Sequence, residues 1–135
     1  MSEGVVMGLL GGPMLAMASF VIPFLTRSAV DGGLGRNAVA GIRTPSTMAS
    51  DRAWVAGHRA VLRTSRMVGW VGLACAVLLT ASAFLSQGEQ PHWTSIVLFA
   101  IGYGVVVGGA LWCAVVASRA ARAAEARAAG PPDSG

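Results

Sequence analysis

Three stretches of the chain are almost wholly apolar, and its polar positions are gathered between and after them. Val5 to Leu25, Met67 to Ser86 and Thr94 to Ala117 run for about 21, 20 and 24 residues, and roughly 20 apolar residues cover the hydrocarbon thickness of a bilayer. None of the three contains Asp, Glu, Lys, Arg or His. The pattern predicts three membrane-spanning helices. Gly11, Gly12, Pro13 and Pro23 fall inside the first, where neighbouring helices can re-satisfy freed backbone groups; a kink is expected near Pro13.

Between the first and second runs lies a polar connection, residues 26–66. Asp31-Gly32-Gly33-Leu34-Gly35 reads as a turn, because glycine accepts positive φ and Asp bonds locally. Thr44 precedes Pro45, which biases it toward extended backbone, so Gly41 to Pro45 is expected to be an ordered, non-helical arm along the membrane surface. Ser46, Thr47 and Ser50 are candidate helix caps, and Ser50 followed by Asp51 is the best placed, since an acid in the first turn suits the helix dipole. At about 100° per residue, Arg59, Arg63 and Arg66 fall within roughly 40° of Arg52, while Trp54, His58, Val61 and Ser65 gather on the opposite side. This juxtamembrane helix either lies in the interface, arginines toward phosphates and Trp54 toward the apolar side, or packs its Trp54 side on the protein's own helices. It can run on into the second span, with Gly69 as the bending point.

Gln87 to His92 is read as a tight turn with Trp93 at the boundary. After the third run, Ser118 to Ala129 extends the helix on alanine propensity, and 130–135 is a disordered tail. The expected fold class is therefore all-α, an integral membrane unit over residues 1–129 with spans at about 5–25, 67–86 and 94–117. Gly4, Gly8 and Gly12, and likewise Ala100, Gly104 and Gly108, repeat every four residues. Such spacing lets helix backbones approach closely, within one chain or across a homo-oligomer.

Composition supports a bilayer as the solvent. Hydrophobic residues make up 54% of the chain and charged ones 12%, with a mean hydropathy of +0.62, whereas soluble domains carry about 25% charged residues. The net charge of +4 comes from ten basic residues, all arginine. A soluble nucleic-acid binder would cluster them on a water-exposed fold; here they flank apolar runs, so no nucleic-acid partner is expected. Seven lie between Arg27 and Arg66 and three in the tail, with none before the first run or in the 87–92 turn. That partition predicts a multi-pass protein of the bacterial plasma membrane with its N-terminus outside and the 26–66 loop and C-terminus cytoplasmic. The segment Ala16-Met17-Ala18 resembles a signal-peptidase site, but the acidic N-terminal flank and the arginines after the run retain the helix.

Candidate chemistry is sparse. Cys75 and Cys113 sit in apolar runs and behave as small hydrophobes. His58 and His92 fall on opposite sides of the predicted membrane and cannot share a metal. Asp51 and His58 lie seven residues apart, and no nucleophile-elbow, zinc or phosphate-loop motif is present. No catalytic, metal or cofactor site is expected, and spans without charged groups argue against transport. What remains is recognition: by the basic face Arg52, Arg59, Arg63 and Arg66 of anionic lipid head groups, and by Arg43, whose guanidinium fork suits a carboxylate or phosphate. The alternative role for Arg43 is structural, pairing with Asp51 or a helix C-terminus. Trp54 and His58, at i and i+4, share one face as packing residues or ligand contacts.

Asn37, Gly41-Ile42-Arg43-Thr44-Pro45, Thr47, Ser50, Trp54 and His58-Arg59 together resemble the signature of the SdpI family, bacterial membrane proteins named for an immunity protein that protects cells from a secreted peptide toxin. Ser46 departs from the pattern, since many members carry an aromatic residue after the proline. The best-known member also ties up a transcriptional repressor at the membrane and is longer than this chain. The resemblance implies a non-enzymatic integral membrane protein that binds a peptide toxin or partner protein, with Asn37, Gly41, Ile42, Arg43, Thr44, Pro45, Thr47, Trp54 and His58 as the motif positions. A structural subunit or a small oligomeric transporter are the other readings.

Overall fold

A computed structural model describes residues 3–85 and 93–130. The chain forms α1 (Glu3–Val6), a π turn (Met7–Gly11), α2 (Gly12–Val30), α3 (Asp51–Leu85) and α4 (Trp93–Ala128), with no strand among the described residues. Three helices are long and apolar enough to cross a membrane: Met7–Val30, Asp51–Leu85 and Trp93–Ala128. The predicted turn at 87–92, with His92, and the end of the tail lie outside the described residues.

Contacts gather into two units, one formed by residues up to 22 with 66–110 and the other by 23–65 with those from 111 onward. In the first unit, Leu15, Cys75, Ala76 and Val106 form the core, with Ala16, Ala18, Ile22 and Tyr103 packed on it. Small residues allow this. A Cβ on Gly8 would stand 2.5 Å from that of Ala83 and 2.8 Å from the Leu79 carbonyl, and one on Gly102 would stand 2.5 Å from Leu15 Cδ2. Close approach replaces a hydrophobic drive that lipid does not supply.

Of the two small-residue stripes, the first packs within the chain and the second does not. Gly8 and Gly12 do pack within the unit, against Leu79, Ala83 and Thr80, while Gly4 lies outside the residues whose surroundings are described. On α4, however, Ala100, Gly104 and Gly108 are exposed, and a Cβ on Gly104 or Gly108 would meet nothing within 4 Å among the described residues. Gly102 and Gly109 make the close contacts instead, so the packing face is turned away from the predicted stripe.

Near Pro13 the helix widens into a π turn rather than breaking. Proline has no N–H and crowds the carbonyl four residues back, and a π turn directly before it accommodates both demands. Tyr103 donates its hydroxyl proton to the Gly11 carbonyl at 3.1 Å, and Ser19 and Thr80 bond back to Leu15 and Ala76. Much of the remaining surface is apolar: Leu10, Met14, Met17, Phe20 and Phe24 on α2 and Trp70, Val77 and Phe84 on α3 are all exposed. Only 17% of the apolar window of α4 is buried by the protein. Lipid is the solvent that suits such a surface.

One predicted boundary moves, and the expected continuation of the Asp51 helix into the second span is found. The first helix continues five residues past Leu25 to Val30, ending where Asp31 N–H bonds to Arg27 and Gly32 takes a φ of +83°. The amphipathic stretch from Asp51 is not a separate juxtamembrane helix. It is the start of one unbroken 35-residue helix that passes through Gly69.

Candidate functional site

The patterned segment folds onto the first turns of α3, within the second unit. Ser50 caps the helix: the Ala53 N–H donates to its Oγ at 3.0 Å, and the Trp54 N–H donates to its carbonyl. The same hydroxyl donates to Glu125 on α4. From this start the helix divides as the wheel predicts. Trp54, His58, Val61 and Ser65 are buried, while Arg52, Arg59, Arg63 and Arg66 are all exposed. Trp54 is only 2% exposed, so it is no lipid anchor; the chain's own arm covers it. The buried side is thus packed within the protein, on the arm through Trp54 and on α4 through Val61.

The arm is fastened at three levels. At the bottom, the Trp54 indole N–H donates to the Leu34 carbonyl at 3.0 Å. In the middle, the Ile42 N–H donates to His58 Nε2 at 2.9 Å, and His58 Nδ1 lies 2.8 Å from the Trp54 carbonyl. An acceptor at Nε2 and a carbonyl at Nδ1 dictate one neutral tautomer, with the proton on Nδ1. Burial also pushes the imidazole pKa below its ordinary value, against the opposing pull of the Trp54 carbonyl. Indole and imidazole centroids are 4.2 Å apart.

Gly41 makes this closeness feasible. Its φ is +109°, and a Cβ there would lie 2.7 Å from the Trp54 ring and 3.1 Å from His58 Nε2. No other residue offers both the conformation and the space.

The third level is a hydroxyl cluster. Thr47 Oγ1 accepts the Thr44 N–H at 2.9 Å and donates to the Ile42 carbonyl at 2.7 Å, which folds residues 42–47 around one buried oxygen. Thr44 Oγ1 lies 2.9 Å from the Ser118 hydroxyl on α4. Gly57 lets α3 approach: a Cβ there would meet the Thr47 methyl and the Ala117 carbonyl within 3.0 Å. Val61, Cys113 and Ala117 form the apolar core beneath, with Ile42 and Val116 packed on it.

The predicted motif thus splits. Gly41, Ile42, Thr44, Thr47, Trp54 and His58 come together as a fastening, whereas Asn37, Arg43 and Pro45 are exposed. Asn37 takes part in none of these bonds. Of the two structural pairings expected for Arg43, with Asp51 or with a helix C-terminus, it makes neither here; it donates to the Ala38 carbonyl within the arm. Asp51 instead pairs with Arg36 at 3.1 Å, and Arg36 also donates to the Met48 carbonyl at 2.9 Å and that of Ala49 at 3.2 Å.

Arg36, Ser118 and Glu125 are the participants the sequence reading missed. Asp51 shares the 27–66 segment with seven arginines, so its partner was not legible from spacing. Glu125 did leave a signal, as the one acid in a helical end made of Ala and Arg. Among the described residues no group of three or more His, Cys, Asp or Glu gathers as a metal set. The arrangement does not activate a nucleophile: its one buried imidazole has both nitrogens engaged with backbone. What it can do is hold a loop rigid.

No curated protein and no solved structure matches the chain. The profile of the SdpI/YfhL protein family matches residues 34–118, which span the arm, its fastening on α3 and most of α4. With more than half of its length matched, this membrane protein belongs to the SdpI/YfhL family.

Proposed function

We propose that the protein is a non-enzymatic immunity-type membrane protein that binds a membrane-active peptide through the outward side of the arm. Its setting is a bacterial plasma membrane, with the N-terminus outside and the arm cytoplasmic, following the arginine partition. The observation that carries the reading is the division of the motif. Six positions are spent on holding the arm against α3, and an ordering cost met in advance favours binding. The side chains so presented, Asn37, Val39 and Arg43, combine a donor and acceptor, an apolar tip and a cation; Val39 is 99% exposed. The basic face of α3 would attract anionic lipid head groups beside it.

Deleting the gene and challenging cells with membrane-active peptides from neighbouring strains tests this. Sensitivity should rise on deletion, and Val39→Asp with Arg43→Ala should reproduce it without lowering the amount of protein in the membrane. Unchanged sensitivity would remove the immunity reading. A structural or scaffold role is the second reading, favoured by the burial of most of the motif. It would appear as motif variants that fail to accumulate, while the exposed-residue variants behave as wild type.

A further inference from the structure

A second surface of the arm unit has a different chemistry. Thr44, Leu111, Ala114, Val115, Ser118 and Arg122 line an open groove of about 340 Å³ along α4, a size within the range of small-molecule sites. Its lining is graded. Leu111, Ala114 and Val115 belong to the apolar stretch that ends at Ala117, and Leu111 is 66% exposed. The hydroxyls of Ser118 and Thr44 come next, 2.9 Å apart, and the Ser118 hydroxyl also lies 2.7 Å from the Ala114 carbonyl. Arg122, one turn further, is exposed and forms no ion pair among the described residues. The nearby acid on this helix, Glu125, already accepts from Ser50.

An apolar floor inside the span, two hydroxyls at its end and a free guanidinium beyond form the chemical gradient of a phospholipid standing in a leaflet. We propose that this groove binds one anionic phospholipid. Its upper acyl chain lies along Leu111 and Val115, and its phosphate meets the Arg122 guanidinium, with the Thr44 hydroxyl as a second donor. A guanidinium suits phosphate because its donors form a planar fork. The site lies apart from the proposed peptide-binding surface and rests only on the reading of α4 as a spanning helix. It would also couple lipid to the arm, because Thr44 belongs to both.

Native mass spectrometry of the full-length detergent-solubilised protein, titrated with phosphatidylglycerol or phosphatidylcholine, tests the site. Wild type should retain one phosphatidylglycerol in preference to phosphatidylcholine. Arg122→Gln should weaken that binding about tenfold, the effect of losing one charge-assisted contact. Leu111→Trp, at an exposed position, should fill the floor and weaken it while leaving Arg122 in place. Arg127→Gln, further along the same helix, should bind as wild type. Equal retention of both lipids, or wild-type binding by Arg122→Gln, would overturn the proposal. So would loss in Arg122→Gln without loss in Leu111→Trp, which would mean charge attraction with no groove, or a lipid-free dimer that closes this face.

Discussion

His58 holds two hydrogen bonds whose directions leave room for one proton. Protonating Nε2 would set an N–H against the Ile42 N–H, so the fastening of the arm exists only with a neutral ring. Because burial lowers the folded-state pKa below the reference 6.5, the unfolded state binds more protons over the interval between the two values. The stabilisation is then fully present above about pH 6.5 and is lost as pH falls below it. Thermal unfolding in detergent should show a lower Tm at pH 5.5 than at pH 7.5. His58→Gln should be less stable at both and lose most of that slope, while His92, common to both proteins, cancels. Gly41 gives a second residue-scale test. Gly41→Ala forces a positive φ on a side chain and drives its Cβ into Trp54, so it should cost about 1–3 kcal/mol, measured as the same unfolding transition. An equal loss from Gly35→Ala, where nothing lies within 4 Å, would show that neither the clash nor the strain is the cause.

At the scale of elements, the π turn before Pro13 depends on what meets its carbonyls. Tyr103 donates to Gly11 from a ring that also lies 4.4 Å from Phe99. Tyr103→Phe keeps the ring and removes the donor, and such bonds in membranes contribute about 0.5–1.5 kcal/mol. A stability loss in that range is expected, and none at all would mean that the carbonyl finds another donor. The sequence made the existence of these helices plain, because apolar length is a one-dimensional signal. The α3 wheel was also legible, since its buried and exposed sides differ in chemistry as well as spacing. The α4 face was not: Ala100, Gly104 and Gly108 look as suited to packing as Gly102 and Gly109, and on a helix that is apolar all round only the partner's shape decides. Asp51 poses the same difficulty for charges, because its choice of Arg36 over Arg43 follows from where the arm turns, which spacing along the chain does not encode.

For the whole molecule, the asymmetry of charge is the quantity that sets orientation. All ten basic residues lie in the 27–66 segment or after residue 118, and both fall on one side if three helices cross. The bias acts through arginines close to span ends, and Arg27, Arg66 and Arg119 each lie within a few residues of one. The fastened arm adds a reason for this side to stay out of the bilayer: it carries Arg36, Arg43 and Asp51 with it, and a charge at the centre of a bilayer costs about 2.5–3.5 kcal/mol or more. Single cysteines placed at Asn37 and at Arg127, in a background where Cys75 and Cys113 are Ala, should therefore be shielded from a membrane-impermeant thiol reagent in intact cells. Both should react once the cells are opened. Labelling of either site in intact cells would reverse the expected orientation, and with it the proposed cytoplasmic placement of the arm. Replacing Arg52, Arg59, Arg63 and Arg66 together with Gln tests the cause as well as the outcome: the 27–66 loop keeps three arginines and the tail its three, so most molecules should keep the orientation while a fraction inverts and becomes labelled at Asn37. No change in labelling would mean that the charges nearest the first span, led by Arg27, set the topology alone.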